Sequence, residues 1–255
     1  METPALGILG VGHLATYTVK GLRNGGDTRR IILSPRNAQA ASRLAEQCQC
    51  EVAGSNQAVV DGSEIIVLAV RPESLAQLLE GLIFRPGQRV ISVMAGVSLQ
   101  QLRQYPALQA VTLVRALPPA SVEVGAGPVP LFPADETVAT LFGAMGKVIV
   151  LESEALFDVA LAHGCLHGWS YFLVQQLIDW SREQGMSQEA ARQMVVHSIG
   201  SALALAESRP ELDYGDIGNA IATPGTFTLK GIEQIRAANG LQAWCDAMET
   251  VSKPE

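Results

Sequence analysis

Leu6-Gly7-Ile8-Leu9-Gly10-Val11-Gly12-His13-Leu14-Ala15 decides the fold. A short apolar run ends in Gly-x-Gly-x-x-Ala, and a helical pattern follows over residues 14–24. A lone glycine triplet carries little weight. Between a strand and a helix, at the head of a βαβ unit, it is the fingerprint of a dinucleotide-binding turn. Gly10 permits the tight turn, Gly12 lets the backbone approach a pyrophosphate, and Ala15 lets helix and strand pack closely. The helix start at His13 and Leu14 points its N–H groups at the anion.

Working outward, further apolar runs occupy residues 30–34, 64–70, 89–95 and 110–114. They are flatly apolar rather than alternating, as expected of strands buried on both faces of a parallel sheet. Helical patterns over 38–47, 72–82 and 99–104 separate them. The alternation predicts an α/β, doubly wound Rossmann-type domain. Two more strands, near 129–132 and 147–151, flank a helix from about 135 to 145.

After residue 152 the strand runs stop. Helices are expected over 155–162, 170–183, 188–207, 228–238 and 241–250, giving a dinucleotide-binding domain over 1–152 and an all-helical domain over 153–255. Ser187 is the expected N-cap of the third helix, which is apolar on most sides through Val195, Val196, Ile199, Ala202, Leu203, Ala204, Leu205 and Ala206. A helix without a clear polar face must be covered all round. A partner subunit could supply that cover, so the helical domain is expected to form a homodimer, with a central helix of a monomeric bundle as the alternative and assembly into larger oligomers left open.

Composition supports a soluble globular protein. The 255 residues are 48% hydrophobic and 17% charged, with aromatics at 5%, so Ala, Val, Leu and Ile must build the core. The net charge of −7 provides no surface for tracking phosphates, and no nucleic acid partner is expected. No apolar stretch approaches the ~18 residues of a membrane span, and the N-terminus lacks a basic leader. Cys48, Cys50, Cys165 and Cys245 have no metal-ligand spacing and read as reduced thiols of a cytoplasmic protein; no metal site is expected.

The second strand ends in Ser34-Pro35-Arg36-Asn37 rather than in a carboxylate that would read a free ribose. Arg36 can pair with a 2′-phosphate, and Ser34 and Asn37 can donate hydrogen bonds to it. NADPH is therefore favoured over NADH.

These residues, taken in order, resemble the Δ1-pyrroline-5-carboxylate reductase family over nearly the whole chain. Ser55-Asn56-Gln57-Ala58-Val59 is similar to its Asn-x-x-Ala-Val stretch, whose Asn contacts the cofactor. Leu68-Ala69-Val70-Arg71-Pro72 looks like its Leu-Ala-Val-Lys-Pro, at a strand end beside the cofactor. Ile91 to Leu99, with Ala95-Gly96, is similar to its Ile-Ser-x-x-Ala-Gly-x-x-Leu, and Val114-Arg115-Ala116-Leu117-Pro118 to its Val-Arg-x-Met-Pro. The glycine loop departs from the family in having His13 for Asn. The substrate half departs further. Asp158 matches, but His167-Gly168-Trp169-Ser170-Tyr171 stands where the family has Ser-Gly-Pro-Ala-Tyr. Thr223-Pro224-Gly225-Thr226-Phe227-Thr228 replaces Ser-Pro-Gly-Gly-Thr-Thr, and Pro119 replaces an Asn.

The resemblance implies hydride transfer from a nicotinamide to the carbon of a cyclic C=N bond, with pyrroline-5-carboxylate or a close analogue as substrate. It implies cofactor contacts at Gly10, Gly12, His13, Leu14, Ser34, Arg36, Asn56, Ala69, Val70, Arg71, Pro72, Ala95 and Gly96. Thr223, Gly225, Thr226 and Thr228 would cradle the substrate carboxylate, with Thr228 also a catalytic residue and with Pro119 and Trp169 lining the pocket. His163 and His167, at i and i+4, share a face if their segment is helical. His167 then reads either as the proton donor or, if Gly164 and Gly168 break the helix, as cleft lining. Arg115 reads as a tie between loop and sheet or as a holder of an acidic substrate group. A related oxidoreductase on a bulkier imine or carbonyl compound, and a non-catalytic nucleotide-binding paralogue, are the rival functions.

Overall fold

A computed structural model describes residues 3–252. The strands are β1 (Leu6–Leu9), β2 (Ile31–Leu33), β3 (Glu51–Val52), β4 (Ile65–Leu68), β5 (Arg89–Ser92), β6 (Thr112–Ala116), β7 (Pro128–Phe132) and β8 (Lys147–Val150). They form one sheet in the order β3-β2-β1-β4-β5-β6-β7-β8. The first six run parallel, β7 turns antiparallel against β6, and β8 pairs parallel with β7.

The helices of this part are α1 (His13–Asn24), α2 (Ala38–Cys48), α3 (Asn56–Asp61), α4 (Leu75–Leu79), α5 (Leu99–Arg103) and α6 (Glu136–Gly143). They cover both faces, which is why the strands read as flat apolar runs: every residue of β1 and β4 is buried. Alternate residues serve opposite layers. Leu6, Ile8, Ile65 and Val67 pack beneath α1, α2 and α6, while Leu9, Ile66 and Leu68 pack with residues of α3, α4 and α5. β3 was not foreseen, because its two residues are exposed at the sheet edge and make no apolar run.

The order reverses at β1 and β4, with β2 and β3 to one side and β5 and β6 to the other. In open parallel sheets that switch point, at the carboxyl ends of the strands, is where ligands bind. The register pairs Leu9 with Leu68, so the loops after β1 and β4 leave the sheet side by side.

The remaining helices are α7 (Leu156–Glu183), α8 (Gln188–Glu207), α9 (Tyr214–Ile221), α10 (Phe227–Ala237) and α11 (Gly240–Ser252). α7 corrects the expected two-helix reading: it runs unbroken through Gly164 and Gly168. Each interior glycine costs about 1 kcal/mol relative to alanine, which a helix of this length absorbs. α9 was not foreseen. Ser187 caps α8, its hydroxyl accepting from Ala190 N–H at 3.2 Å.

The chain divides into two compact units, with the break between Leu161 and Ala162. The first turns of α7 thus belong to the sheet-bearing unit. In the helical unit, α8 buries only Ala191 and Ala206, and its Met194, Val196 and Leu203 are exposed. No helix among the described residues is long and apolar enough to cross a membrane.

Candidate functional site

The loop after β1 separates the tasks of its two glycines. Gly10 has φ +100°, and a Cβ there would lie 2.6 Å from both Ala69 O and Val70 Cγ1. The protein itself requires that glycine, because the β4 loop occupies the space. Gly12 is different. Its φ of −116° is open to any residue, and a Cβ would meet nothing within 4 Å. Nothing in the chain explains its bareness, whereas a ligand approaching the backbone would. Gly12 is also the N-cap of α1, which has no side-chain cap and no acidic residue in its first turn. Uncapped N–H groups at a helix start, facing open space, suit a pyrophosphate.

Side chains from the loop after β2 hold this turn. Gly10 N–H donates to Ser34 Oγ at 2.9 Å, and Asn37 Nδ2 donates to Val11 O at 3.3 Å while Asn37 also caps α2. Ser34 is 1% exposed. It therefore departs from the expectation: its hydroxyl is turned into the glycine loop and shapes it, rather than reaching out to a ribose phosphate. Arg36 is exposed at the same strand end, its Nη2 donating to Gln77 Oε1 at 3.4 Å.

The other expected cofactor contacts gather at the same edge of the sheet. His13 is exposed and Leu14 half-buried at the head of α1. Asn56 opens α3, just after its N-cap Ser55. Ala69 and Val70 are half-buried beyond β4, followed by exposed Arg71 and Pro72. Beyond β5, Ala95 and Gly96 are exposed between buried Met94 and Val97, with Gly96 at φ +70°. Pro119 is half-buried and precedes a 3-10 turn over Ala120–Val124.

Arg115, at the end of β6, is 4% exposed. Its Nη1 donates to Glu154 Oε1 at 2.8 Å, and its guanidinium lies 4.2 Å over the Phe157 ring. The structure thus gives Arg115 the tying role. Glu154 was not foreseen, nor were Gln77 and Tyr171. Glu154 is 39 residues from Arg115 in sequence, and no local pattern signals such a pairing.

In the helical unit, the unbroken α7 places His163 and His167 on one face. Tyr171, one turn further, has its hydroxyl 3.0 Å from His167 Nε2, and the two rings meet edge to face at 5.2 Å. His167 is half-buried, as is Trp169 on the same helix. The loop before α10 is tightly specified. Gly225 takes φ +87°. Thr226 Oγ1 donates to Thr223 O at 2.7 Å and accepts from Leu229 N–H at 3.2 Å. Thr226 therefore also departs from the expectation: its hydroxyl is committed to capping α10 and closing the loop. Thr223, Phe227 and Thr228 are exposed around it, Phe227 at 92%.

The cysteines offer no nucleophile in the sheet-bearing unit. Burial pushes the Cys48 thiol up and the Cys50 thiol to about 11, against the opposing pull of Arg23. Neither presents an appreciable thiolate at neutral pH. No group of three or more metal-ligating side chains occurs among the described residues.

Two family models match the chain. Residues 5–96 match the NADP oxidoreductase, coenzyme F420-dependent model, and residues 154–254 match the pyrroline-5-carboxylate reductase dimerisation model. Pyrroline-5-carboxylate reductase of Pseudomonas aeruginosa is 25% identical over 254 residues, covering 95% of this chain and 92% of the relative. The crystal structure of 1-pyrroline-5-carboxylate reductase from Streptococcus pyogenes aligns with a TM-score of 0.85 at 23% identity, covering 98% of this chain and 96% of that one. That of Plasmodium falciparum pyrroline carboxylate reductase with NADP bound aligns with a TM-score of 0.82 at 19% identity, covering 99% and 97%.

A dinucleotide fold with a bare phosphate loop, joined to a dimerisation-type helical unit, defines a two-unit nicotinamide oxidoreductase. Within that class, the chain is similar to pyrroline-5-carboxylate reductases over nearly its whole length, and residues 154–254 match their dimerisation model.

Proposed function

We propose that the protein is an NADPH-dependent reductase that converts pyrroline-5-carboxylate, or a close cyclic imino acid, to the saturated ring. The observation that carries this reading is the glycine loop, where Gly10 is demanded by the fold and Gly12 is left bare beneath an uncapped helix. When bound, NADPH supplies a hydride from C4 of its nicotinamide.

The first N–H groups of α1, at His13 and Leu14, hold the pyrophosphate, and Arg36 holds the 2′-phosphate. Asn56, Ala69, Val70, Arg71 and Pro72 bound the site from the α3 and β4 side, and Ala95 and Gly96 from the β5 side. In the helical unit, Thr223, the turn at Gly225 and Thr228 bind the substrate carboxylate and Trp169 lines the ring pocket; in the sheet-bearing unit, Pro119 is the substrate-contacting residue. His167, oriented by Tyr171, donates the proton that converts the ring nitrogen of the imine to the iminium. A protonated cyclic imine accepts hydride readily, so the residues mainly align donor and acceptor and hold charge.

The helices of residues 153–255 pair with those of a second copy, covering the exposed apolar face of α8; such dimers can assemble further. The protein acts in the cytoplasm on small molecules, without nucleic acid or membrane partners.

Phe227 favours a second reading, in which the same hydride chemistry serves a bulkier imine. The test is NADPH oxidation with pyrroline-5-carboxylate, its six-membered analogue and an aryl-substituted imine in parallel. Turnover of the five-membered imino acid with proline as product is expected. Turnover of the aryl imine alone would transfer the assignment to the second reading. Tight NADPH binding with no turnover of any imine would leave a nucleotide-binding protein.

A further inference from the structure

The loop between β5 and α5 carries Ala95 and Gly96 and sits on the second half of the doubly wound sheet, beyond the switch point. By the architecture of such sheets, the glycine loop side takes the phosphates and adenosine, and this side takes the reacting end of the dinucleotide. The loop is anchored at its far end by α5. Ser98 caps that helix reciprocally with Gln101. The first helical N–H, that of Leu99, goes elsewhere: it donates to Glu154 Oε1 at 2.6 Å. The same oxygen accepts from Arg115 Nη1 at 2.8 Å. Arg115 is fixed in turn by its burial and by the Phe157 ring beneath it. One carboxylate oxygen therefore joins the end of β6, the head of α7 and the start of α5, all within the sheet-bearing unit.

We propose that Glu154 is a positioning residue for hydride transfer: it braces the β5–α5 loop so that Ala95 and Gly96 present a fixed face to the nicotinamide. This rests on the cofactor reading given above. Glu154 does not touch the reactants. It acts through Leu99, and Arg115 acts through Glu154.

The test compares Glu154→Ala with Arg103→Ala. Arg103 Nη1 donates to the carbonyls of Leu108, Gln109 and Val111, so its loss loosens the other end of α5 without touching the brace. For Glu154→Ala, kcat is expected to fall by roughly tenfold to a hundredfold, the penalty of a small misplacement of reacting groups. The Kd for NADPH, by nicotinamide fluorescence, should stay within about threefold, because the phosphate and adenosine contacts lie on the other half. Amide exchange over residues 97–102 should quicken in Glu154→Ala at its α5 head. In Arg103→Ala it should quicken only toward residues 103–111. Should Glu154→Ala fail to fold, Leu99→Pro removes the N–H at a helix position that tolerates proline and leaves the ion pair intact. The same selective loss of kcat is then expected. Unchanged kcat and exchange, or a kcat loss equal to that of Arg103→Ala at matched stability, would overturn the proposal. An unaltered protein inert toward every imine would fault the functional reading instead, and the exchange comparison would still decide the brace.

Discussion

Gly10→Ala and Gly12→Ala differ by two positions in one loop and should fail in opposite ways. At Gly10 the new Cβ sits at φ +100°, and holding a non-glycine residue in such a region costs about 1–3 kcal/mol. It also lies 2.6 Å from the Ala69 carbonyl oxygen and Val70 Cγ1, an overpacking that adds about 1–3 kcal/mol. The β4 loop belongs to a sheet strand with every residue buried, so it gives way only at the expense of the core. The sum is about 2–6 kcal/mol. At about 2–4 °C per kcal/mol for a unit of this size, Tm should drop on the order of 10 °C. At Gly12 no such cost exists. The backbone is extended and the space is empty, and the gain of about 0.4–1 kcal/mol from constraining the unfolded chain is offset by alanine being the poorer N-cap, so stability should stay within about 1 kcal/mol. Its methyl instead stands where the pyrophosphate must approach. Losing two charge-assisted N–H contacts of about 1.5–3 kcal/mol each weakens NADPH binding by roughly a hundredfold or more. Thermal unfolding of the cofactor-free proteins and fluorescence titration with NADPH measure the two quantities independently. A Gly12→Ala protein that binds NADPH like the unaltered one, or that melts as early as Gly10→Ala, would refute this division of labour between the two glycines.

Arg36→Ala should lose NADPH affinity by about tenfold to a hundredfold, the contribution of one charge-assisted pair, while NADH affinity barely moves; titration of both dinucleotides checks this. Thr226→Ala should destabilise the loop and α10 by about 1 kcal/mol, as for a lost N-cap, whereas Thr228→Ala should leave Tm within about 0.5 kcal/mol of equivalent stability and raise KM for the imino acid. Leu203→Glu on α8 puts a charge into the face assigned to the second copy. It should raise the dimer dissociation constant by roughly a hundredfold or more in sedimentation equilibrium, since burying each leucine contributes about 1.5–3 kcal/mol and the symmetric interface holds two.

Much of the fold was legible because the physics that shapes it is local. Strands covered on both faces leave flat apolar runs, and the glycine loop leaves a spaced signature. β3 left none, since Glu51 and Val52 are exposed at an edge. α9 was hidden by Gly215 and Gly218, and α7 by Gly164 and Gly168, because glycine lowers helix propensity without forbidding a helix that packing supports. At the site, residue types and spacing located the loops but not the direction of hydroxyl groups. Ser34 and Thr226 carry the right chemistry for ligand contact, yet the backbone around them takes up their hydrogen bonds. Glu154 could not be found at all from spacing, because its partners Arg115 and Leu99 are 39 and 55 residues away.

Hydride transfer from NADPH to the imine carbon of a five-membered imino acid is the step on which the assignment stands. NADPH dideuterated at C4 of the nicotinamide, incubated with the protein and pyrroline-5-carboxylate in ordinary water, tests it directly by mass spectrometry of the product. Proline heavier by a single deuterium on its ring carbon is the expected result. Unlabelled proline, or no proline while NADPH remains bound, would contradict the account.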